Sequence, residues 1–417
     1  MLRTIFASAF LLCLCLSSPV LALDNQDDMS LAEKVASRQN DLAKYQALFD
    51  PSLIKPLSPN EMRAVITAGV NWLKNSQEPN GHFRYEYDPF SGTYGNDDNI
   101  VRQAGALYQL GEIIRRDKNN LYQLDETITR AVPYFQALTK PGTYGDKKFR
   151  CISDSIESPV CKVGATGLVV TGLIGFIEAR PQESPRYLPL IDDYMTYILA
   201  MKKENAGFRN VFHTGTGIPD DTESSYGNGE ALLALVRYGR YKGFPSQIRK
   251  EIDNALTYTR LKHSSDAALY LWAMAALKDM YQINPAKEYF DYAKADTDAR
   301  MEPFPQKRTS GYNYCSYIEG VVSAYPILQK HLSSETLMKY KEEIDFWLAK
   351  SALLQMKPAD LIASDLTGAK FVKAPNSKLA LGGFLTAHTQ PTQRIDFTQH
   401  CISSYVQTLI DINGLTF

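Results

Sequence analysis

Six segments of this chain begin with polar residues and continue as small and apolar residues on every side. They start near Asn99, Gly164, Tyr226, Ser264, Tyr314 and Phe397. A helix that is apolar all round must be buried all round. Glycine inside a helix costs about 1 kcal/mol relative to alanine unless close packing compensates for it. Such glycines occur at Gly105, Gly167, Gly172, Gly229 and Gly320. The segments therefore predict six inner helices.

Between these segments lie six others in which the apolar residues form a single stripe. They start near Pro59, Glu126, Pro185, Ser246, Pro285 and Ser334. A one-sided stripe at helical spacing is typical of a helix with one face on a core and the other in water. The alternation predicts an all-α fold, an (α/α)6 toroid in which six antiparallel hairpins form two concentric rings. We expect its functional cavity where the inner helices begin, because the polar residues gather there.

The first 22 residues have the pattern of a secretory signal peptide. Arg3 precedes an apolar run from Ile5 to Leu16, and Val20-Leu21-Ala22 is a small-residue cleavage site. We therefore expect an exported protein, periplasmic or secreted, cleaved after about Ala22. No later segment has the roughly 20 apolar residues that span a bilayer, so no integral membrane segment is predicted after cleavage.

An amphipathic helix is expected at Leu31 to Phe49, outside the ring. The predicted parts of the chain are the signal peptide at 1–22, an N-terminal extension at 23–57 and the toroid domain at 58–417.

Charge and motifs exclude several classes of function. The chain has 45 Lys and Arg residues against 46 Asp and Glu residues, a formal net charge of -1. Without a basic stripe, nucleic acid is not an expected partner. A P-loop, a dinucleotide fingerprint, a nucleophile elbow and a His-Glu-x-x-His pair do not occur in the sequence. We expect no cofactor and no metal, and the oligomeric state stays open.

Four cysteines remain after signal cleavage, which in an exported chain favours disulfides. Cys151 and Cys161 flank a short loop, and Cys315 and Cys401 lie near the starts of neighbouring inner helices. We predict the pairs 151–161 and 315–401. A zinc site formed by Cys315, His400 and Cys401, as in the lanthionine synthetase toroid, is the alternative, although the glycine-bearing context of that family's motif is missing.

The end of the first outer helix carries a recognisable repeat. Trp72, Gln77, Gly81 and Phe83 have the spacing of an aromatic residue, a glutamine, a glycine and a second aromatic residue. This segment resembles the Gln-Trp type repeat of terpenoid cyclase and protein prenyltransferase toroids. The expected structure is a helix end capped by Gln77, a turn at Gly81 and Phe83 packed back. The acidic Asp-x-Asp-Asp motif of the cyclases is absent, so the resemblance supports the fold rather than the reaction.

Two irregular segments complete the pattern. Phe83 to Asn96 alternates aromatic and polar residues and predicts a short β-hairpin at the cavity mouth. Lys357 to Thr392 contains many breaks and is expected to form an extended loop with a turn at Gly382-Gly383.

Three residues are the catalytic candidates. Glu230 and Arg102 lie one turn inside apolar helices, where an unpaired charge is costly. Asp221 belongs to the densest acidic cluster, and His400 has an ordinary pKa suited to proton transfer. We predict Glu230, Asp221 and His400 as catalytic. Each also has a structural reading: Glu230 paired with Arg102, Asp221 in a solvated loop, and His400 as a satisfied core residue.

Polar and aromatic residues at the inner-helix starts are the binding candidates. Arg102 and Arg394 suit a substrate carboxylate, and tyrosines combine a flat face with a hydroxyl group. Glu319 belongs to the same polar set, as do Asp97, Asp98 and Asp396, for which helix capping is the alternative role. The predicted substrate-binding residues are Arg102, Asn99, Gln103, Tyr85, Tyr87, Tyr226, Tyr312, Tyr314 and Arg394.

These residues favour an exported carbohydrate-active enzyme, a hydrolase, lyase or epimerase, that acts on a glycan in the central cavity. The fold-level part of this expectation is analogy with other exported toroids. A non-catalytic toroid that binds a glycan or peptide is the first alternative. An isoprenoid-handling, cyclase-like protein is the second, and it requires a dry aromatic cavity.

Overall fold

A computed structural model describes residues 43–44, 46–262, 264, 266–357, 361–363, 371–388 and 390–417. The predicted signal peptide and most of the predicted helix from Leu31 to Phe49 lie outside the described residues. Residues 43–44 and 46–49 are helical, in agreement with the end of that helix. Within the described ranges, no helix is long and apolar enough to cross a membrane.

Twelve α-helices of at least thirteen residues alternate between two rings in the described chain. The outer helices are α1 Pro59–Ser76, α3 Asp125–Ala137, α5 Ser184–Ala200, α7 Ser246–Lys262, α9 Lys287–Met301 and α11 Ser334–Ala352. The inner helices are α2 Ile100–Arg116, α4 Val163–Ala179, α6 Ser225–Tyr241, α8 Ala267–Ile283, α10 Cys315–Leu328 and α12 Ile395–Gln407. Each inner helix packs on the next one, and α12 closes the ring against α2. The predicted (α/α)6 toroid is confirmed.

Glycines let the first two inner helices approach each other closely. A Cβ at Gly111 would lie 2.2 Å from the carbonyl oxygen of Gly172, and one at Gly175 would lie 2.5 Å from that of Gly111. Larger side chains would separate α2 from α4, so close packing compensates for the low helix propensity of these glycines.

The fourth residue of four inner helices holds the loop that precedes the helix. In each case its side chain accepts a hydrogen bond from a backbone N–H of that loop. The donor and acceptor pairs are Phe83 and Gln103, Ile152 and Thr166, Phe208 and Asn228, and Phe384 and Thr398. These bonds fix the loops over the amino ends of the inner helices, where the candidate site lies.

The Gln-Trp type segment has the local structure that its residues predict. The Gln77 side-chain amide donates to the carbonyl oxygens of Gly81, at 3.2 Å, and Thr127, at 2.9 Å. Gly81 has φ +92° and a Cβ there would lie 2.1 Å from the Arg130 carbonyl oxygen. Phe83 is fully buried.

Short strands occupy the loops. They are β1 Glu86–Asp88, β2 Thr93–Tyr94, β3 Thr139–Tyr144, β4 Lys147–Ile152, β5 Val160–Lys162, β6 Val211–His213, β7 Ile218–Pro219, β8 Leu361–Ala363, β9 Phe371–Lys373, β10 Leu385–Ala387 and β11 Gln390–Arg394. The predicted hairpin is β1–β2, and it belongs to an antiparallel sheet of order β10-β11-β1-β2. Glu86 pairs with Arg394 in this sheet.

The extended loop predicted for Lys357 to Thr392 is wrong for the described part of that segment. β8 to β10, most of β11 and the single-turn helix Ser377–Ala380 fall within it. Strand partners far away in the sequence, such as β1 for β11, supply the order that local composition does not reveal. The predicted turn is present, since Gly382 has φ +90°.

Both predicted disulfides are present. Cys151–Cys161 connects β4 to β5, and Cys315–Cys401 connects the first turn of α10 to α12. Because Cys315 and Cys401 are bonded to each other, they have no thiolate to offer to the zinc site that was the alternative.

A buried ionic network fills the carboxyl-terminal half of the inner ring. Its charged members, called here the floor network, are Glu112, Arg115, Arg116, Glu178, Arg237, Arg240, Lys278, Asp279 and Asp411. Arg237 is almost fully buried and contacts both Glu112 and Asp279. Lys278 donates to Asp411 at 2.8 Å and to Gln407 at 2.5 Å. The barrel therefore has a floor tied together across its axis.

Candidate active site

The first two turns of the inner helices converge at the other end of the barrel. We call the polar and aromatic residues there the mouth layer: Arg102, Tyr226, Glu230, Trp272, Glu319, Arg394, Asp396 and His400. Glu230, Trp272, Glu319 and His400 are each the fifth or sixth residue of α6, α8, α10 and α12. Seven residues separate Glu230 from Arg237, so the mouth layer lies about 10 Å above the floor network along the helix axis.

Two arginines share one carboxylate in the mouth layer. Arg394 forms a bidentate pair with Asp396, Nε to Oδ1 at 3.0 Å and Nη2 to Oδ2 at 2.5 Å. Arg102 Nε lies 3.2 Å from Asp396 Oδ2. Asp396 is buried, and both arginine side chains keep 26 % of their surface exposed. The carboxylate is thus fully used, whereas the guanidinium groups are not.

Aromatic rings frame these arginines. The Arg102 guanidinium lies 5.8 Å from the centroid of the Tyr226 ring. That of Arg394 lies 5.1 Å from the Tyr85 ring and 5.0 Å from the Phe397 ring. Tyr226 and Tyr312 are among the most exposed large aromatic side chains, at 46 % and 41 %. The rim therefore offers flat faces beside oriented cations.

Glu230 is a buried carboxyl group without a partner. Its Oε1 has no hydrogen bond within the described residues. A Cβ at Gly164 would lie 1.8 Å from its Oε2, so only glycine leaves room for the carboxyl group. Burial raises the pKa of Glu230 to about 8, and the positive charge of Arg102 only partly opposes this. Glu230 is therefore protonated at neutral pH, and it forms no ion pair with Arg102 in the described chain.

His400 and Glu319 form an oriented pair. His400 Nδ1 lies 2.6 Å from Glu319 Oε2, and Glu319 is almost fully buried. An ionised carboxylate only accepts, so Nδ1 carries a proton and donates to Glu319; in the neutral ring with this tautomer, Nε2 holds the lone pair. The ring keeps 9 % of its side-chain surface exposed, and Nε2 makes no hydrogen bond to the described residues. Trp272 packs beside the ring, with centroids 5.9 Å apart.

The second disulfide holds this pair in place. Cys315 precedes Glu319 by four residues on α10, which places both on one face of the helix. Cys401 directly follows His400 on α12. The Cys315–Cys401 bond therefore fixes the two helices at the level of the acid and base.

Three residues that were predicted to bind substrate have structural roles instead. Asn99 caps α2, since its side-chain oxygen accepts from the backbone N–H groups of Val101 and Arg102. The Gln103 side-chain amide holds both backbone groups of Phe83. Tyr87 is fully buried, and its hydroxyl group donates to the Asn376 carbonyl oxygen. Their polar groups are already bonded within the fold.

The remaining candidates divide into two groups. Tyr314 is half-buried against Trp347 at a centroid distance of 5.2 Å. Asp221 is 78 % exposed and pairs with Lys203 and Arg209, at 3.4 Å in each case. It lies on the loop before α6 with these cations, apart from the ion pairs of the mouth layer. In contrast, Arg102, Arg394, Glu230, His400, Tyr85, Tyr226 and Tyr312 lie on the mouth layer or its rim.

The sequence alone did not select Glu319 and Trp272 as site residues. Glu319 was one of several polar residues at the helix starts, and Trp272 resembled core. One signal for Glu319 is available in the sequence: it lies in an apolar helix as deep as His400 lies in the neighbouring helix.

No family model matches the chain, and no curated protein matches it either. Several solved structures, in contrast, match the chain. A family 76 glycoside hydrolase from a bovine Bacteroides thetaiotaomicron strain aligns at a TM-score of 0.59 and 9% identity, covering 85% of this chain and 78% of that one. The chain is an α/α toroid. D-mannose isomerase aligns with this toroid at a TM-score of 0.59 and 12% identity, covering 84% of this chain and 96% of that one. Cellobiose 2-epimerase from Bacillus thermoamylovorans B4167 aligns at a TM-score of 0.55 and 13% identity, covering 83% of this chain and 98% of that one.

These neighbours share the toroid fold at identities that carry no reaction or substrate across to this chain. They are named as enzymes of sugar chemistry, and they give no support to the resemblance between the Gln-Trp type segment and terpenoid cyclases.

Proposed function

We propose that this toroid is a carbohydrate-active enzyme that moves a proton on a sugar bound at the mouth layer. The oriented His400–Glu319 pair, whose Nε2 makes no hydrogen bond to the described residues, is the observation that carries the proposal. The named activities of the structural neighbours, two of which are a sugar isomerase and a sugar epimerase, support a sugar as the substrate.

In this proposal His400 is the base. Its Nε2 removes a proton from a carbon next to a carbonyl or carboxyl group, and Glu319 stabilises the imidazolium that forms. The electron pair moves onto the carbonyl or carboxyl oxygen, where the guanidinium groups of Arg102 and Arg394 stabilise the negative charge. The imidazolium proton returns to the adjacent carbon in isomerisation and, after the enolate has turned over, to the opposite face of the same carbon in epimerisation. In elimination a β-alkoxide leaves and takes up this proton.

Hydrolysis is the second candidate, because Glu230 is protonated at neutral pH and can act as a general acid. A hydrolase also needs a second, available carboxylate about 5 to 9 Å away. Asp396 is ion-paired with two arginines, Glu319 is bonded to His400, and Asp221 lies with Lys203 and Arg209. Proton transfer by His400 therefore has better support.

The two disulfides favour an oxidising compartment, so we propose that the protein works outside the cytosol, as the signal-like N-terminus predicts. A toroid for isoprenoids has less support. The mouth layer holds Arg102, Arg394, Asp396 and Glu319 rather than a purely aromatic wall.

The test uses the full mature chain and a panel of reducing sugars and oligosaccharides in D2O. Proton NMR detects deuterium entering the sugar, and a reducing-end assay detects hydrolysis. We expect deuterium incorporation that falls by about 10²- to 10⁴-fold in His400→Asn. The matched control is His331→Asn, because His331 bonds to Tyr281 near the opposite end of α10.

The two chemistries give different results. New reducing ends without deuterium exchange, lost in Glu230→Gln and retained in His400→Asn, would replace proton transfer by hydrolysis. Sugar binding with neither reaction would overturn the enzyme assignment and leave the binding toroid.

A further inference from the structure

The arginines of the mouth layer have hydrogen-bonding capacity that the protein does not use. Arg102 Nε lies 3.2 Å from Asp396 Oδ2, and Arg394 donates to Asp396 through Nε and Nη2. Both terminal nitrogens of Arg102 and Nη1 of Arg394 therefore have no hydrogen-bond partner among the described residues. These three donors lie on side chains that stay partly exposed at the rim.

The charge at this position is also unbalanced. Two guanidinium groups face one buried carboxylate, Asp396. Glu86 lies opposite Arg394 in the sheet but forms no ion pair with it in the described ranges. Glu230 is buried and protonated at neutral pH. The two guanidinium groups thus carry one more charge than the carboxylate that they share.

The arginines are held in fixed orientations. Asp396 and the rings of Tyr85, Tyr226 and Phe397 fix the planes of the two guanidinium groups. A planar guanidinium matches a carboxylate with two parallel hydrogen bonds, which gives specificity as well as affinity. The exposed faces of Tyr226 and Tyr312 suit the apolar face of a sugar ring.

We propose that Arg102 and Arg394 bind the carboxylate of a uronic acid residue, so that the substrate class is an acidic glycan. This inference rests on the proposed function for its substrate, a sugar, but not for the reaction. The carboxylate takes the unused guanidinium donors, and the ring of the sugar lies against Tyr226 and Tyr312. Neutral sugars of the same shape lack the carboxylate that these guanidinium donors would bind.

Calorimetry on the full mature chain tests the inference through binding alone. The probes are trisaccharides in acid and neutral pairs: galacturonate against galactose, glucuronate against glucose, and mannuronate against mannose. At least one acidic trisaccharide is expected to bind tenfold or more tightly than its neutral partner, and this preference weakens as the NaCl concentration rises.

Substitutions of the two arginines test whether they cause the preference for acidic trisaccharides. Arg394→Gln and Arg102→Gln are expected to remove the preference, so that each acidic trisaccharide binds within about twofold of its neutral partner. Arg394→Lys keeps the charge and loses the bidentate geometry, so part of the preference remains. Arg249→Gln is the matched control, because Arg249 pairs with Asp253 on the outer helix α7.

The binding result is separate from the reaction. Equal affinity for acidic and neutral sugars, no binding of any uronate, or an unchanged preference in both arginine variants would overturn the inference. Arginine-dependent binding of a triglutamate peptide in place of uronates would overturn it as well. If His400→Asn binds uronates like the wild type and no reaction is found, the inference stands and the enzymatic proposal fails.

Discussion

The two ends of the inner barrel differ in how completely their charged groups are paired. In the floor network, five cations and four carboxylates contact one another, and Arg237 touches two acids at once. In the mouth layer, Glu230 has no partner for Oε1, and the two arginines share Asp396. Both ends belong to the same ring of inner helices. A paired, closed end holds the ring together, and an incompletely paired end is free to bind and react.

The pKa shifts follow the same division. Burial opposes the ionisation of Asp411, yet Lys278 and Arg116 hold its pKa well below its usual value. Burial alone dominates at Glu230 and raises its pKa to about 8. Buried charges that are paired stay ionised, and a buried carboxyl group that is not paired stays neutral. Perturbed groups without a structural partner are typical of functional sites.

The largest expected effect concerns the covalent link at the mouth. The Cys315–Cys401 disulfide spans 86 residues of sequence, and the Cys151–Cys161 disulfide spans 10. From loop-closure entropy, replacing Cys315 and Cys401 by alanine lowers the free energy of unfolding by about 4.5 kcal/mol. Replacing Cys151 and Cys161 by alanine lowers it by about 3 kcal/mol. Urea unfolding of both variants checks this. An equal or smaller loss at 315–401 would show that this link does not hold the mouth.

The second prediction tests the ion pairs of the floor network. Arg237→Ala leaves Glu112 and Asp279 buried without their shared cation, and we expect it to lower the free energy of unfolding by about 3 to 5 kcal/mol. Arg249→Ala breaks an exposed pair on α7 and is expected to cost about 0 to 1 kcal/mol. Denaturant unfolding measures both. A loss below 1 kcal/mol for Arg237→Ala would remove the contrast between the two ends.

The pH dependence of stability is expected to have opposite signs at the two ends. The folded pKa of Glu230 lies above its usual value of 4.5, so folding retains a proton that the unfolded chain releases. The stability due to this group is present below pH 4.5 and is lost as the pH rises to about 8. Glu230→Gln should remove this loss, about 4 kcal/mol at pH 8.5 relative to pH 4.5.

Asp411, in the floor network, is expected to give the opposite pH dependence of stability to Glu230. Its folded pKa is depressed, so its stabilisation is present above the unfolded pKa of 3.8 and is lost as the pH falls below that value. Asp411→Asn should flatten the acid limb of the stability curve and leave the limb between pH 4.5 and 8 unchanged. Identical pH profiles for the wild type and both variants would contradict the division into two ends.

The smallest effect concerns the space around Glu230. Gly164→Ala places a methyl group where the Glu230 carboxyl group lies, and we expect a loss of about 1 to 3 kcal/mol. Glu230→Ala in the same chain should recover much of it, which a double-mutant cycle measures. Gly215→Ala is the control, since its nearest heavy atom would be 3.9 Å away. Additive effects at 164 and 230 would show that the two residues do not share this space.

The fold follows from the sequence to a large extent because its signals are local. Apolar periodicity distinguishes inner from outer helices over a dozen residues, and cap residues such as Ser58 and Asn99 start helices where they stand. The chain positions of the four cysteines, combined with ring order, were sufficient to predict both disulfides. Of the strands after Lys357 that were missed, β8 and β9 pair with each other and β10 pairs with β11, whereas β11 also pairs with β1, which is distant in sequence.

The site depended on tertiary structure for a different reason. Polar residues at helix starts can cap, pair or bind, and the sequence does not say which neighbours they meet. Only the closed ring brings Glu319 to His400 across 81 residues and Arg102 to Asp396 across 294, while it leaves Asp221 with Lys203 and Arg209. Periodicity determined which helices are buried. Ring closure decided which buried charges are balanced, because electrostatic pairing depends on distances in space.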